Sequence, residues 1–236
     1  MILRLLTVDF LKIKRKGLWF LCLIGPLGVI ALQMINYGLR KDYLFQNTDN
    51  RWQQYISNVH SFTPLAIILG IVVLTSFMAT IEDETNAWKQ LFALPVSKQE
   101  AYLSKYTVIS CLLFISSVIL LLFTYFYGIT LGLGQDIPYL QIIQYSLLPF
   151  FSSLPVLGLQ LWLSIVCKNQ AIPITIGVLG VILAFLSMHL PDWTIWKWPT
   201  LNNDWGLPYI NGLLGIFVGL IIYIIGMNDF KRRDVK

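Results

Sequence analysis

The sequence predicts an all-α integral membrane protein with six transmembrane helices, and its composition, apolar segments and basic residues support this prediction. Hydrophobic residues make up 56% of the 236 residues and charged residues only 12%, whereas a soluble domain carries about 25% charged residues. A soluble domain of this length could not bury so much apolar surface. We therefore exclude a soluble enzyme and interpret residues 1–236 as a single transmembrane domain.

Six apolar segments are long enough to cross a bilayer, which requires about 20 helical residues. The first is too long for a cleavable signal peptide and no small-residue cleavage site follows it. Pro149 and Pro155 interrupt the fourth, so we expect it to be buried against other helices that satisfy the freed carbonyl groups. The predicted spans are residues 18–37, 61–81, 106–131, 142–166, 171–190 and 207–227.

Basic residues are distributed unequally between the connecting segments. With both termini in the cytoplasm, thirteen of the 17 basic residues lie inside. This distribution predicts a multi-pass protein of the cell membrane with both termini cytoplasmic. The basic residues flank the spans, so a membrane surface explains them better than nucleic acid does. Only Arg40, Lys41, Arg51 and Lys197 lie in outer segments.

The predicted spans have no Asp, Glu, Lys or Arg in their interiors. Carriers driven by protons or sodium usually need such a residue at membrane depth, so we expect the energy source to lie elsewhere. The sequence has no GxxxxGK[ST], HExxH or GxSxG motif and no Cys/His cluster. We therefore predict no catalytic residue, metal site or cofactor site in this chain.

The residues before the first span have the pattern of an amphipathic helix. Leu3, Leu6, Phe10 and Ile13 recur at helical spacing, and basic residues cluster near the bilayer. This pattern favours a helix in the inner interface that contacts anionic lipid headgroups. Alternatively, the segment is a charged flank that only sets the topology.

The segment between the second and third spans predicts a short helix on the cytoplasmic side. Glu82, Asp83 and Glu84 suit the positive end of a helix, and Pro95 ends it. The apolar side chains in between share one face, which could either enter a groove of a partner or rest on the inner leaflet. These side chains are Trp88, Leu91 and Phe92.

A second helix is predicted to follow directly and to continue into the third span. Ser97 and Glu100 have the spacing of a capping box, in which each side chain bonds the backbone of the other residue. The segment from 82 to 105 is therefore expected to form a helix, a tight turn and a second helix.

The outer segment between the fifth and sixth spans holds half of the eight tryptophans. An aromatic belt at the membrane interface is the favoured interpretation. Contact with a lipid-like or amphipathic peptide substrate is the alternative. The four residues are Trp193, Trp196, Trp198 and Trp205.

The last span carries Gly215 and Gly219 in a GxxxG motif, with Gly212 one turn earlier. Such small residues allow close helix packing or a dimer contact. Glycine is also generally frequent in membrane helices, which explains the pattern equally well.

Three features give the chain a resemblance to the ABC-2 class of transporter permeases, and more narrowly to the subunits that protect Gram-positive bacteria from lantibiotics and similar peptide antibiotics. They are the basic amphipathic start, the loop after the second span and the basic carboxyl-terminal end. The residues concerned are Lys14 to Lys16, Glu84, Trp88 to Leu91, Leu94 to Lys98, Lys105 and Asp229 to Val235.

The resemblance implies a permease that pairs with a second permease subunit, identical or different, above a separate cytoplasmic ATPase that holds ATP and magnesium. It also implies outward movement of a cationic amphipathic peptide. A non-transporting scaffold or sensor that recruits a cytoplasmic partner is the alternative. The loop would be the coupling helix that receives motion from the ATPase, through Glu82, Glu84, Trp88, Lys89, Leu91, Phe92, Leu94 and Pro95.

Overall fold

The computed structural model describes residues 2–46, 50–84 and 97–233, and these residues form seven α-helices and two short 3₁₀ helices. The 3₁₀ helices are Ser187–His189 and Trp198–Thr200. The α-helices are α1 (Ile2–Arg15), α2 (Leu18–Phe45), α3 (Arg51–Glu84), α4 (Lys98–Thr130), α5 (Tyr139–Val166), α6 (Ala171–Phe185) and α7 (Pro208–Arg232).

Five of these helices, α2, α3, α4, α5 and α7, are long and apolar enough to cross a membrane. The predicted fifth span, 171–190, instead begins with the 15-residue helix α6. At 1.5 Å per residue α6 is about 22 Å long, shorter than a hydrocarbon core of about 30 Å. Six equivalent spans are therefore not confirmed within the described residues.

The bundle has two distinct ends. Lys98 at the start of α4 donates a hydrogen bond to the carbonyl of Arg233 after α7, and α1 packs on α4 nearby. We call this the terminal end. At the other end, which we call the distal end, His60 of α3 lies 2.8 Å from the carbonyl oxygen of Thr200, and Lys41 of α2 donates to the carbonyl of Leu131 at 2.9 Å.

Helices α2 and α3 extend beyond their predicted spans at the distal end. The predicted outer segment 38–60 is therefore helical over most of its described length. Tyr55 donates a hydrogen bond to the carbonyl of Thr124 on α4, and its ring packs edge-on against Tyr37 of α2. Aromatic contacts thus hold the ends of three helices together.

Helix α5 lies at the centre of the bundle against α3, α4 and α7. It is continuous through Pro149 and Pro155, and both prolines are buried. The expectation that this segment is buried against other helices is confirmed. A proline removes the hydrogen bond to the carbonyl four residues earlier, so Pro155 leaves the carbonyl of Phe151 without its helical partner.

The glycines of α7 lie at the contact with α5. A Cβ atom on Gly215 would lie 2.2 Å from the carbonyl oxygen of Phe151, and one on Gly219 would lie 2.8 Å from the Cβ of Leu154. Gly212 faces Leu148 in the same way. The structure therefore places this glycine face in helix packing within the chain.

We expect Gly215→Ala to lower the free energy of unfolding by about 1–3 kcal/mol, because the new methyl group overpacks against a backbone carbonyl. The matched control is Gly28→Ala on α2, where a Cβ meets no atom within 4 Å. Alanine is preferred over glycine inside a helix by about 0.5–1 kcal/mol, so the control should be neutral or stabilising. Thermal unfolding in detergent measures the stability of both variants. Equal unfolding temperatures would contradict the close packing of Gly215 against α5.

Candidate functional site

Four charged side chains meet at the terminal end and form a cluster that we call the charge quartet: Asp9, Lys12, Glu82 and Lys105. One oxygen of Glu82, Oε1, accepts hydrogen bonds from Lys105 Nζ at 2.7 Å and from Lys12 Nζ at 2.9 Å. Asp9 Oδ1 lies 3.6 Å from Lys105 Nζ and 4.0 Å from Lys12 Nζ. Ser104 donates its hydroxyl to the other Asp9 oxygen at 2.6 Å.

The quartet is buried although it is charged. Glu82 is 0% exposed, Lys105 1% and Asp9 4%. The side chain of Lys12 is 26% exposed and closes the cluster at its edge. Removing an ion from water costs several kcal/mol unless an opposite charge compensates it. Two positive and two negative groups provide this compensation, so the quartet carries no net charge.

Three helices supply the quartet. Asp9 and Lys12 lie three residues apart on one face of α1. Glu82 lies in the last turn of α3, and Lys105 lies near the start of α4. Tyr102, also fully buried, packs in the apolar core around this junction. The quartet therefore ties α1 to the two helices that flank the undescribed segment 85–96.

The start of α4 is fixed independently by its cap. Ser97 Oγ accepts a hydrogen bond from the backbone N–H of Glu100 at 3.2 Å, and Glu100 Oε2 accepts one from the backbone N–H of Ser97 at 3.1 Å. The predicted capping box is confirmed. Both edges of segment 85–96 are thus held in defined positions.

The predicted coupling residues are only partly within the described chain. Glu82 and Glu84 do not begin a separate helix, because α3 continues through both and ends at Glu84. The burial of Glu82 was not predicted; its pairing with two lysines explains how a carboxylate occupies the last turn of a helix. The remaining predicted residues lie outside the described residues, namely Trp88, Lys89, Leu91, Phe92, Leu94 and Pro95.

The sequence interpretation missed Asp9 as a site residue. A signal for it exists: Asp9 is the sole acidic residue among the first 41 and stands in an apolar and basic segment. Its partner Ser104 lies 95 positions later, and helical periodicity carries no information about such a separation.

The tryptophan-rich segment at the distal end is folded around Asp192. One carboxylate oxygen accepts from Lys197 Nζ at 2.7 Å, and the other accepts from the backbone N–H of Asp204 at 2.9 Å. These bonds, that from Asp204 first, hold the pKa of Asp192 below its ordinary value. The indole N–H of Trp198 donates a hydrogen bond to the backbone carbonyl of Asp192. The segment is therefore held by hydrogen bonds between its own residues.

The four tryptophans divide into two pairs. Trp198 is buried, and Trp196 packs so closely on α6 that a Cβ on Gly180 would lie 2.3 Å from its indole nitrogen. Trp193 and Trp205 are 77% and 56% exposed. Trp193 and Trp205 thus present most of their ring surface to the surroundings, whereas Trp198 is buried and Trp196 is only partly exposed.

We expect Lys105→Met to lower the free energy of unfolding by about 3–5 kcal/mol, because it leaves two buried carboxylates, Asp9 and Glu82, with only the partly exposed Lys12 as a positive partner. Lys105→Met combined with Glu82→Gln should restore part of this loss. The control is Arg233→Ala, which breaks the exposed pair with Asp229 and should cost about 0.2–1 kcal/mol. Denaturant titration in detergent measures all three, and a Lys105→Met loss no larger than the control would contradict the role of burial.

Comparison with known proteins identifies the family. A family model described as ABC-2 family transporter protein matches residues 5–184, well over half of the 236 residues. Comparisons with curated proteins and with solved structures find no match. The matched region runs from α1 to α6 and contains all four members of the charge quartet. The chain therefore belongs to the ABC-2 family of transporter proteins.

Proposed function

We propose that the chain is the permease subunit of an ABC exporter, that it pairs with a second permease, and that a separate cytoplasmic ATPase with bound ATP and magnesium powers it. Family membership and the five long apolar helices support a multi-pass membrane component of a transporter. The charge quartet is the observation that carries the coupling part of the proposal.

Segment 85–96 is proposed to receive motion from the ATPase. It leaves α3 two residues beyond the buried Glu82 and enters α4 at the capped Ser97. A displacement of this segment acts first on the ends of these two helices. Because Glu82 bonds both Lys105 of α4 and Lys12 of α1, the three helices move together at this end. The force from ATP hydrolysis then reaches the membrane through packed helices.

The proposed load is a cationic amphipathic peptide, such as a lantibiotic, or another amphipathic compound moved outward from the membrane. The exposed rings of Trp193 and Trp205 support this part. Aromatic faces attract cations and also provide apolar contact area. Their position at the distal end, opposite the charge quartet, is where a peptide would leave if the terminal end faces the cytoplasm.

The docking part of the proposal is tested by co-purification with the ATPase. We expect Trp88→Ala with Phe92→Ala to weaken ATPase association about tenfold or more, because aromatic anchors often contribute 2 kcal/mol or more each to an interface. The control is Phe217→Ala on α7, where the ring is 65% exposed. Unchanged association and transport would show that docking lies elsewhere, and failure of any ATPase to co-purify would favour a scaffold or sensor.

The coupling part requires a variant that keeps the net charge. Glu82→Gln with Lys105→Gln removes the central pair but leaves Asp9 and Lys12 as opposite charges. We expect ATPase association to persist while transport per ATP hydrolysed falls, because the link between α3 and α4 is weakened. Proteoliposomes that contain the permease pair and the ATPase measure this ratio. A ratio equal to that of the unmodified protein would contradict transmission through the charge quartet.

Peptide contact at the distal end is tested by tryptophan replacement. Trp193→Leu with Trp205→Leu should reduce resistance of cells to the peptide without reducing the abundance of the protein. The control Trp198→Leu removes a buried ring and its hydrogen bond to Asp192, so it should reduce abundance. Equal resistance of the double variant and the unmodified protein would restrict Trp193 and Trp205 to membrane anchoring.

A further inference from the structure

A groove lies between α1 and the start of α2, and the described fold leaves it open. Its volume is about 580 Å³, and Lys14, Trp19 and Phe20 contribute to its walls. This volume falls within the range of about 300–1,000 Å³ that is usual for sites of small ligands. The other lining residues are Thr7, Phe10, Leu11 and Gly17.

The groove lies on the face of α1 opposite the charge quartet. At 100° per helical residue, Thr7, Leu11 and Lys14 cluster around one direction, whereas Asp9 and Lys12 point nearly the other way. The quartet face is fixed against α3 and α4. The groove face therefore stays accessible for as long as α1 remains docked.

The walls of the groove are apolar and exposed. Leu11 is 54% exposed and Phe20 70%, and the rings of Phe10 and Trp19 stack with centroids 6.3 Å apart. Gly17 makes the bend between the helices with a φ of 73°, a conformation that glycine adopts readily. Because of this bend, α1 and α2 form the two sides of the groove, and an acyl chain could lie between them.

The mouth of the groove carries positive charge. Lys14 lines it, and Lys16 is exposed in the turn that follows. Neither side chain forms an ion pair with any acidic group in the described parts of the chain, whereas Lys12 is paired with Glu82. An occupant that matches both features combines an anionic group with a hydrocarbon chain.

We propose that this groove binds one anionic phospholipid, whose phosphate contacts Lys14 and whose acyl chain lies along Phe10, Leu11, Trp19 and Phe20. Basic sites next to membrane helices are suited to anionic headgroups, and the buried apolar area of the chain adds to the binding free energy. The site is a property of α1 and α2 and does not depend on the proposed transport function.

The test uses the full chain purified in detergent and equilibrated with equal amounts of phosphatidylglycerol and phosphatidylcholine. Native mass spectrometry then counts the lipids retained. We expect one phosphatidylglycerol per chain. Lys14→Ala should lower its affinity about fivefold through loss of one cationic contact, and Leu11→Asn should lower it about tenfold through loss of apolar contact.

Two matched controls separate this site from general lipid adhesion. Lys231→Ala removes an exposed lysine from α7 at the same end of the bundle, and Val8→Asn places the same amide on α1 outside the groove. Both should retain the lipid. The proposal is overturned if Lys231→Ala loses as much lipid as Lys14→Ala, if both lipids are retained equally, or if a second copy of the chain occupies the groove.

Discussion

A carboxylate buried between two lysines, Glu82 with Lys12 and Lys105, is the interaction on which the terminal end of the molecule depends. None of the three helices could bury its own charged residue alone, because the loss of hydration would exceed what one helix can offset. With Asp9 of α1, which lies 3.6 Å from Lys105, the cluster has two negative and two positive groups and is neutral. This mutual requirement explains why α1 packs on the bundle and why the ends of α3 and α4 stay close together.

The rest of the bundle is held by different chemistry. In the centre, Pro155 leaves the Phe151 carbonyl of α5 without its helical hydrogen bond. Gly215 of α7, which has no side chain, packs directly against this carbonyl. At the distal end, tyrosine and tryptophan rings and the bonds around Asp192 hold the connecting segments. Ion pairs, close backbone packing and aromatic contacts thus follow one another along the molecule.

Local patterns in the sequence predicted part of the local structure. Apolar length located the five long helices, and the Ser97 and Glu100 spacing located the start of α4. The contacts of the charge quartet were not predictable, since its members lie up to 96 positions apart and helical periodicity relates only near neighbours. The short α6 was also not predicted, because hydropathy does not separate residues 186–190 from the helix. In the structure α6 ends at Phe185 and a 3₁₀ helix follows at Ser187–His189. The next segment then folds around Asp192.

The length of α6 has a consequence for the surrounding lipid. Four of its residues, Ile172, Val178, Leu179 and Ile182, are about half exposed, so this helix presents an apolar surface of only about 22 Å along its axis. Hydrophobic mismatch of this size is relieved when the adjacent leaflets thin or when the folded segment after α6 sinks below the headgroups. If α6 crosses the bilayer, we expect one of these responses on this flank of the protein, beside the exposed rings of Trp193 and Trp205.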